Sequence, residues 1–295
     1  MDSQRAHGAG ERPIGTPYLL SFRLLAVLCL LFGALGCSSS SQATGSRTIR
    51  VMTYNVHHGE GLDGKVDLER IARLILDARA DVVALQEVDR GVERTKKIDM
   101  MTNLSDLTGM TYAFGKTADF QRGQVGNGFL TRFPIFEERN LLYAADSSGE
   151  PQGLLQLILG ASGEELVVMN TQLDNSSDDS VRISNIRELR AAARRYAPRP
   201  IIVCGDFNEA PDGRGIAMMK EDFSDVWETA GSGSGATSPA DSPARRIDCM
   251  FVSKPYGKSD TTYQRALRPI STRVLSSRAS DHLPLLTEFE FSTEK

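Results

Sequence analysis

Ile201-Ile202-Val203-Cys204-Gly205-Asp206-Phe207-Asn208-Glu209-Ala210-Pro211-Asp212 decides the fold. Its opening run is apolar, rich in β-branched residues and too short for a helix, so it reads as a strand buried on both faces. Gly205 gives a turn where a side chain would crowd the backbone. Asp206 and Asn208 follow, two residues apart, and in a continuing strand they point the same way. Pro211 stops any pairing beyond. A carboxylate and an amide at the mouth of a buried strand suit the holding of a water and an oxyanion. The plainer alternative is a strand-end turn, where Asp and Asn are common.

Working outward, the pattern of helix, apolar strand and acid occurs twice. Ile183, Ile186, Leu189, Ala193 and Tyr196 mark a helical face, Pro200 ends it, and the strand leading to Asp206 follows. Earlier, Asp67 reads as an N-cap before a face of Leu68, Ile71, Ala72, Ile75 and Ala78. The strand at 81–88 comes next and reaches Glu87. Before that helix, residues 49–56 alternate as a strand and run into Asn55, His57 and His58, with a turn over 59–65. This internal two-fold implies two βαβ-containing halves with acids gathered at one end. Between them the sequence predicts a short helix over 98–110 and strands over 126–130 and 154–159. A turn over 160–163 leads to a hairpin strand over 165–170, which runs on through Thr171 and Gln172 to Asp174. A Gly/Ser/Pro loop fills 231–243. A strand over 246–252 carries Asp248 at its start. Ser280, Asp281 and His282 then precede a half-exposed final strand, with Phe289 and Phe291 opposite Glu288 and Glu290.

The chain has 295 residues, 40% of them hydrophobic, and a net charge of −4. No positive field is available to gather a polyanion, which disfavours a dedicated DNA-binding protein. Among Cys29, Cys37, Cys204 and Cys249 there is no CxxC pair or zinc-ligand spacing. Cys204 and Cys249 lie in apolar strands and read as buried thiols. Residues 1–36 read as a signal peptide, with Arg5, Arg12 and Arg23 before an apolar run over 24–35 too short to span a bilayer. Ala34-Leu35-Gly36-Cys37 resembles the lipobox of bacterial lipoproteins, which implies a lipid on Cys37 and membrane attachment. Simple secretion and an uncleaved anchor are the alternatives. Residues 37–47 form a polar tether, and residues 48–295 form the domain.

The strand-end inventory is Asn55, Glu87, Asp206, Asn208, Asp248, Asp281 and His282. Oxygen donors dominate and thiols are absent, which favours Mg²⁺ or Mn²⁺ over zinc and metal-assisted phosphoryl hydrolysis as the reaction class. Each residue has a plainer alternative as a turn amide, strand-edge charge or N-cap. Adjacent His57 and His58 would point opposite ways in a strand, so at most one faces a site. Trp227 reads as core.

Thr53-Tyr54-Asn55, Leu85-Gln86-Glu87-Val88-Asp89, Gly205-Asp206-Phe207-Asn208, Arg246-Ile247-Asp248 and Ser280-Asp281-His282, in this order, resemble the endonuclease/exonuclease/phosphatase superfamily, across residues 48–291. The resemblance implies an α/β fold: a four-layer α/β/β/α sandwich of two mixed sheets, as in deoxyribonuclease I. It implies Glu87 as the main metal ligand with Asn55 beside it, and Asp281 as an additional metal-side carboxylate. Asp206 would activate the attacking water, and Asn208 would hold that water or a phosphate oxygen. His282 would donate to a non-bridging phosphate oxygen with Asp248 behind it. Asn127, Gln172 and His57 would contact the substrate, a phosphoester of nucleic acid, a phospholipid headgroup or a sugar. A monomer is expected. One departure stands out: the family usually has His where this chain has Gln172, and an amide is no acid near neutral pH. The competing expectation is therefore a catalytically weak domain that only binds a phosphorylated ligand.

Overall fold

The computed structural model describes residues 48–144, 151–254 and 267–291. The leader and tether expected over 1–47, with Cys37, lie outside the described residues, as do 292–295. No described helix is long and apolar enough to cross a membrane.

In chain order the elements are β1 (Thr48–Asn55), α1 (Leu68–Asp77), β2 (Val82–Arg90), α2 (Met100–Thr108), β3 (Thr111–Phe120), β4 (Gly123–Thr131), β5 (Ile135–Leu142), β6 (Gly153–Ala161) and β7 (Glu164–Gln172). They continue with α3 (Ser180–Arg194), β8 (Ile201–Asp206), α4 (Arg214–Asp222), β9 (Phe223–Asp225), α5 (Val226–Ala230), β10 (Asp248–Ser253), β11 (Leu267–Val274) and β12 (Leu285–Phe291). One sheet has the order β11-β12-β1-β2-β4-β3 and the other β5-β6-β7-β8-β10-β9. Each contains one parallel pair, β1 with β2 and β7 with β8, bridged by α1 and α3 respectively. These are the two βαβ units expected from the repeated pattern.

Strand parity builds the layers. Ile49, Val51, Val82 and Ala84 of the first sheet share one buried cluster with Leu155, Leu157, Val168, Ile202 and Cys204 of the second. The alternate residues Met52, Tyr54, Val83 and Leu85 pack outward against Leu68, Ile71 and Ile75 of α1 and Met101 and Leu104 of α2. Val167, Met169, Ile201 and Val203 likewise meet Ile186 and Leu189 of α3 and Ile216 and Met219 of α4. The result is the expected α/β/β/α sandwich. Asp67 caps α1 by accepting from the Arg70 amide at 3.1 Å, and Asp99 caps α2 through Thr102 at 3.2 Å.

Several expectations change. Gly205 does not turn the chain. It stays within β8, and its missing side chain makes room for the Thr171 carbonyl of β7, which a Cβ would meet at 1.8 Å. The strand expected from 246 begins at Asp248, while Arg246 holds Asp225 with two bonds of 3.1 and 2.8 Å. The final strand keeps its expected faces, Phe289 and Phe291 buried and Glu288 and Glu290 partly exposed, and lies between β11 and β1. Trp227 packs against the inner core, as expected.

Candidate active site

The parity that fills the inner core with apolar side chains continues to the strand ends, where it delivers polar ones. Asn55 and Gln86 pair in register, Gln172 lies opposite Asp206, and Asp206 lies opposite Asp248. Beneath the site, Gln86 donates to Thr53 Oγ1 at 3.1 Å and to Asn170 Oδ1 at 2.6 Å. Asn170 in turn donates to the carbonyls of Leu85 at 2.8 Å and Gly128 at 2.9 Å. These bonds tie the sheets together where they face, so the acids above them stand on a rigid floor.

Glu87 breaks the parity. Strand alternation would send it outward with Val83 and Leu85, but the β2–β4 register shifts between Leu85 and Val88 and Glu87 adopts φ +57°. This bulge turns its carboxylate into the site. Its Oε1 accepts from Asn55 Nδ2 at 2.8 Å and Gln172 Nε2 at 2.9 Å. Asn55 Nδ2 also donates to Asp206 Oδ2 at 3.1 Å, and its Oδ1 accepts from the His57 amide at 3.0 Å. Asn55 therefore gathers two carboxylates at one nitrogen, and its oxygen is already engaged.

Beyond Asp206, Asp248 Oδ2 lies 2.8 Å from His282 Nδ1, and His282 Nε2 lies 4.0 Å from Asp206 Oδ2. All three are buried. Burial works against a charge on His282, but Asp248, Asp206 and Asp281 outweigh it and raise its pKa to about 10. Burial, and then the charge of Asp248, push Asp206 up to about 7. Ser280 was missed by sequence reasoning. Its hydroxyl donates to the Asn55 carbonyl at 2.7 Å and accepts from the His282 amide at 3.1 Å, which locks the histidine turn to the end of β1.

Asn208 does not continue the strand. It sits at φ +48° in a turn closed by its own amide on Asp206 Oδ1 at 2.9 Å, and its side chain donates to the Leu173 carbonyl at 2.9 Å. His57 and His58 are not in a strand either. Both have φ near +43° in a short 3₁₀ turn after β1, so strand alternation does not apply and both line the cleft. Asp281 is half-exposed and stands 3.8 Å from His57 Nδ1. Asn127 is buried and donates to the Gly153 carbonyl at 3.1 Å, on the floor of the cleft. That cleft encloses about 760 Å³ between His57, His58, Glu87, Asn127, Gln172 and Asn208 on one side and Arg94, Phe120, Asp174 and Asn175 on its rim.

Residues 52–282 match the model of the Endonuclease/Exonuclease/phosphatase family. The protein YbhP of Escherichia coli is 24% identical over 82% of this chain and 96% of its own length. Among solved structures, a family member from Bacteroides thetaiotaomicron superposes with a TM-score of 0.68 at 17% identity, covering 83% of this chain and 98% of its own. A mannosyl-6-phosphatase of the same species gives 0.67 at 18%, covering 82% and 100%. The human Nocturnin catalytic domain gives 0.66 at 20%, covering 83% and 94%. Family model, sandwich and strand-end polar cluster agree: the chain belongs to the endonuclease/exonuclease/phosphatase family.

Proposed function

We propose that the chain is a divalent-metal-dependent phosphoester hydrolase. The observation that carries this reading is the buried Asp248–His282–Asp206 line, joined to Glu87 of the cleft through the shared Asn55 amide. Two carboxylates drawn to one nitrogen repel each other unless a cation stands nearby, so this donor set fits a hard divalent ion, Mg²⁺ or Mn²⁺, on Glu87. When bound, such an ion neutralises charge on the phosphoryl oxygens.

The chain's own residues supply the rest. Asp206 accepts the proton of an attacking water at a carboxylate oxygen as the water oxygen bonds to phosphorus. Asn208, in the turn that Asp206 closes, lines the path of that water. His282 presents a charged Nε2–H to a non-bridging oxygen as negative charge builds, with Asp248 holding Nδ1–H. The ester oxygen then leaves with the bonding electron pair as an anion and takes its proton from solvent, since Gln172, an amide, is no acid. Its bond to Glu87 gives it another task, the holding of the metal-side carboxylate. Gln172→Leu removes that donor and is expected to lower turnover. Gln172→His keeps a donor and is expected to match wild type or exceed it, measured as kcat under saturating Mg²⁺. Equal activity of both variants would remove Gln172 from the reaction.

Release of nitrophenolate from bis-p-nitrophenyl phosphate tests the reading. EDTA should abolish it, and Mg²⁺ or Mn²⁺ should restore it. Full activity in EDTA would withdraw the metal. Attachment to the cell envelope through Cys37 belongs to the same proposal, supported only by the leader sequence. Membrane fractionation of wild type against Cys37→Ser checks it, and a soluble wild type would count against it.

A further inference from the structure

We propose that His57, His58 and Glu87 form a second divalent-cation position, one with nitrogen ligands that selects a borderline metal such as Zn²⁺, Mn²⁺ or Co²⁺. One ring nitrogen of each histidine and a carboxylate oxygen of Glu87 lie within 4.8 Å of one another. A small side-chain closure brings such atoms to common distances of about 2.0–2.2 Å from a metal. The site adjoins the Mg²⁺ position of the function proposed above and shares Glu87 with it, but its occupancy does not require that any phosphoester be cleaved.

Three features of the chain favour it. Glu87 is already drawn into the cleft by its amide partners, Asn55 and Gln172, which bond its Oε1. His58 Nδ1 is buried without a hydrogen-bond partner, which is costly for an imidazole nitrogen unless something else engages it. Each histidine also has a carboxylate beside one ring nitrogen, Glu60 at 3.6 Å from His58 Nε2 and Asp281 at 3.8 Å from His57 Nδ1. These are ion-pair distances, longer than a hydrogen bond; a modest approach on metal binding would let each carboxylate take the N–H and turn the opposite lone pair toward the metal. Imidazole ligation suits Zn²⁺ and its neighbours, whereas Mg²⁺ takes oxygen. Asp281, expected as an additional metal-side carboxylate, would in this arrangement stand behind His57.

The test is calorimetric and uses no substrate. Full-length protein stripped with EDTA is saturated with Mg²⁺ and titrated with ZnCl₂. Wild type is expected to take up one further equivalent. His58→Asn, a residue that tolerates positive φ, should lose it, and Glu60→Gln should weaken it by about 10-fold or more. Thermal melts confirm that the variants fold. Zn²⁺ uptake by His58→Asn equal to that of wild type would overturn the site, as would Zn²⁺ that merely displaces Mg²⁺ without an added equivalent. Failure of the hydrolysis assay alone leaves this measurement intact, because it reads binding.

Discussion

Asp206→Asn is expected to lower kcat by at least about 10²-fold, the low end of what a positioned general base contributes, while the protein keeps its fold. The substitution preserves size and can still accept from the Asn208 amide, which now bonds Asp206 Oδ1. It removes the carboxylate assigned to take a proton from water, and Asp248, committed to His282 at 2.8 Å, is poorly placed to replace it. The same change should alter thermal stability little. Asp206 is buried, and its ionised form is disfavoured first by that burial and then by Asp248. A neutral isostere relieves both costs but sets its amide nitrogen against the Asn55 Nδ2 donor and removes a counter-charge from His282, so activity should fall with little change in stability. The measurement pairs kcat on the active phosphoester under saturating Mg²⁺ with a melting curve. Near-wild-type turnover would show that Asp206 does not activate the water. A collapsed melting temperature would mean that the residue serves structure first.

The site was legible wherever it obeyed strand periodicity. Asn55, Asp206 and Asp248 continue apolar strands at the period of two, so the reading that placed them at strand mouths needed only the alternation of their neighbours. Glu87 was found as an acid after an apolar run, but the bulge that aims it inward depends on the partner strand β4 and leaves no mark in residues 82–90. His57, His58 and Asn208 were misread for a related reason. All three adopt left-handed backbone, and no glycine announces it. Ser280 acts through its bond to the Asn55 carbonyl, far away in sequence, which pattern reading does not reach.

Strands lost from the sequence reading share a different cause. Five successive residues of β5, from Phe136 to Asn140, are exposed, and charge dominates them, so they carry no buried period. In β3 the inward positions are Ala113, Gly115 and Thr117, small residues with little hydrophobic signal. Pro269 interrupts β11, where the register slips between Pro269 and Ser271, and a proline inside a run argues against a strand. Each of these strands lies at or next to a sheet edge. The central strands that carry the candidate site residues are buried on both faces, and that burial is what wrote them plainly into the sequence.

Gly205→Ala is expected to destabilise the fold severely, because its cost falls on the centre of the second sheet. Gly205 lies between two partners, opposite Thr171 of β7 and Cys249 of β10. A Cβ there would sit 1.8 Å from the Thr171 carbonyl oxygen, and the backbone atoms around it cannot swing aside as a side chain would. Overpacking of this kind typically costs about 1–3 kcal/mol and sometimes more. The φ of +151° adds strain, of order 1–3 kcal/mol for a residue with a side chain. A combined loss of about 4 kcal/mol should lower Tm by roughly 8–16 °C in a domain of this size. The chain can escape the clash only by parting β8 from β7, which moves Asp206 away from Gln172 and from the Asn55 amide. Activity should therefore fall together with stability, in contrast to Asp206→Asn. Thermal denaturation followed by circular dichroism decides the matter. A Tm equal to that of wild type would show that the two strands do not approach as closely as the Gly205–Thr171 contact requires, and the rigid seating of Asp206 would lose its basis.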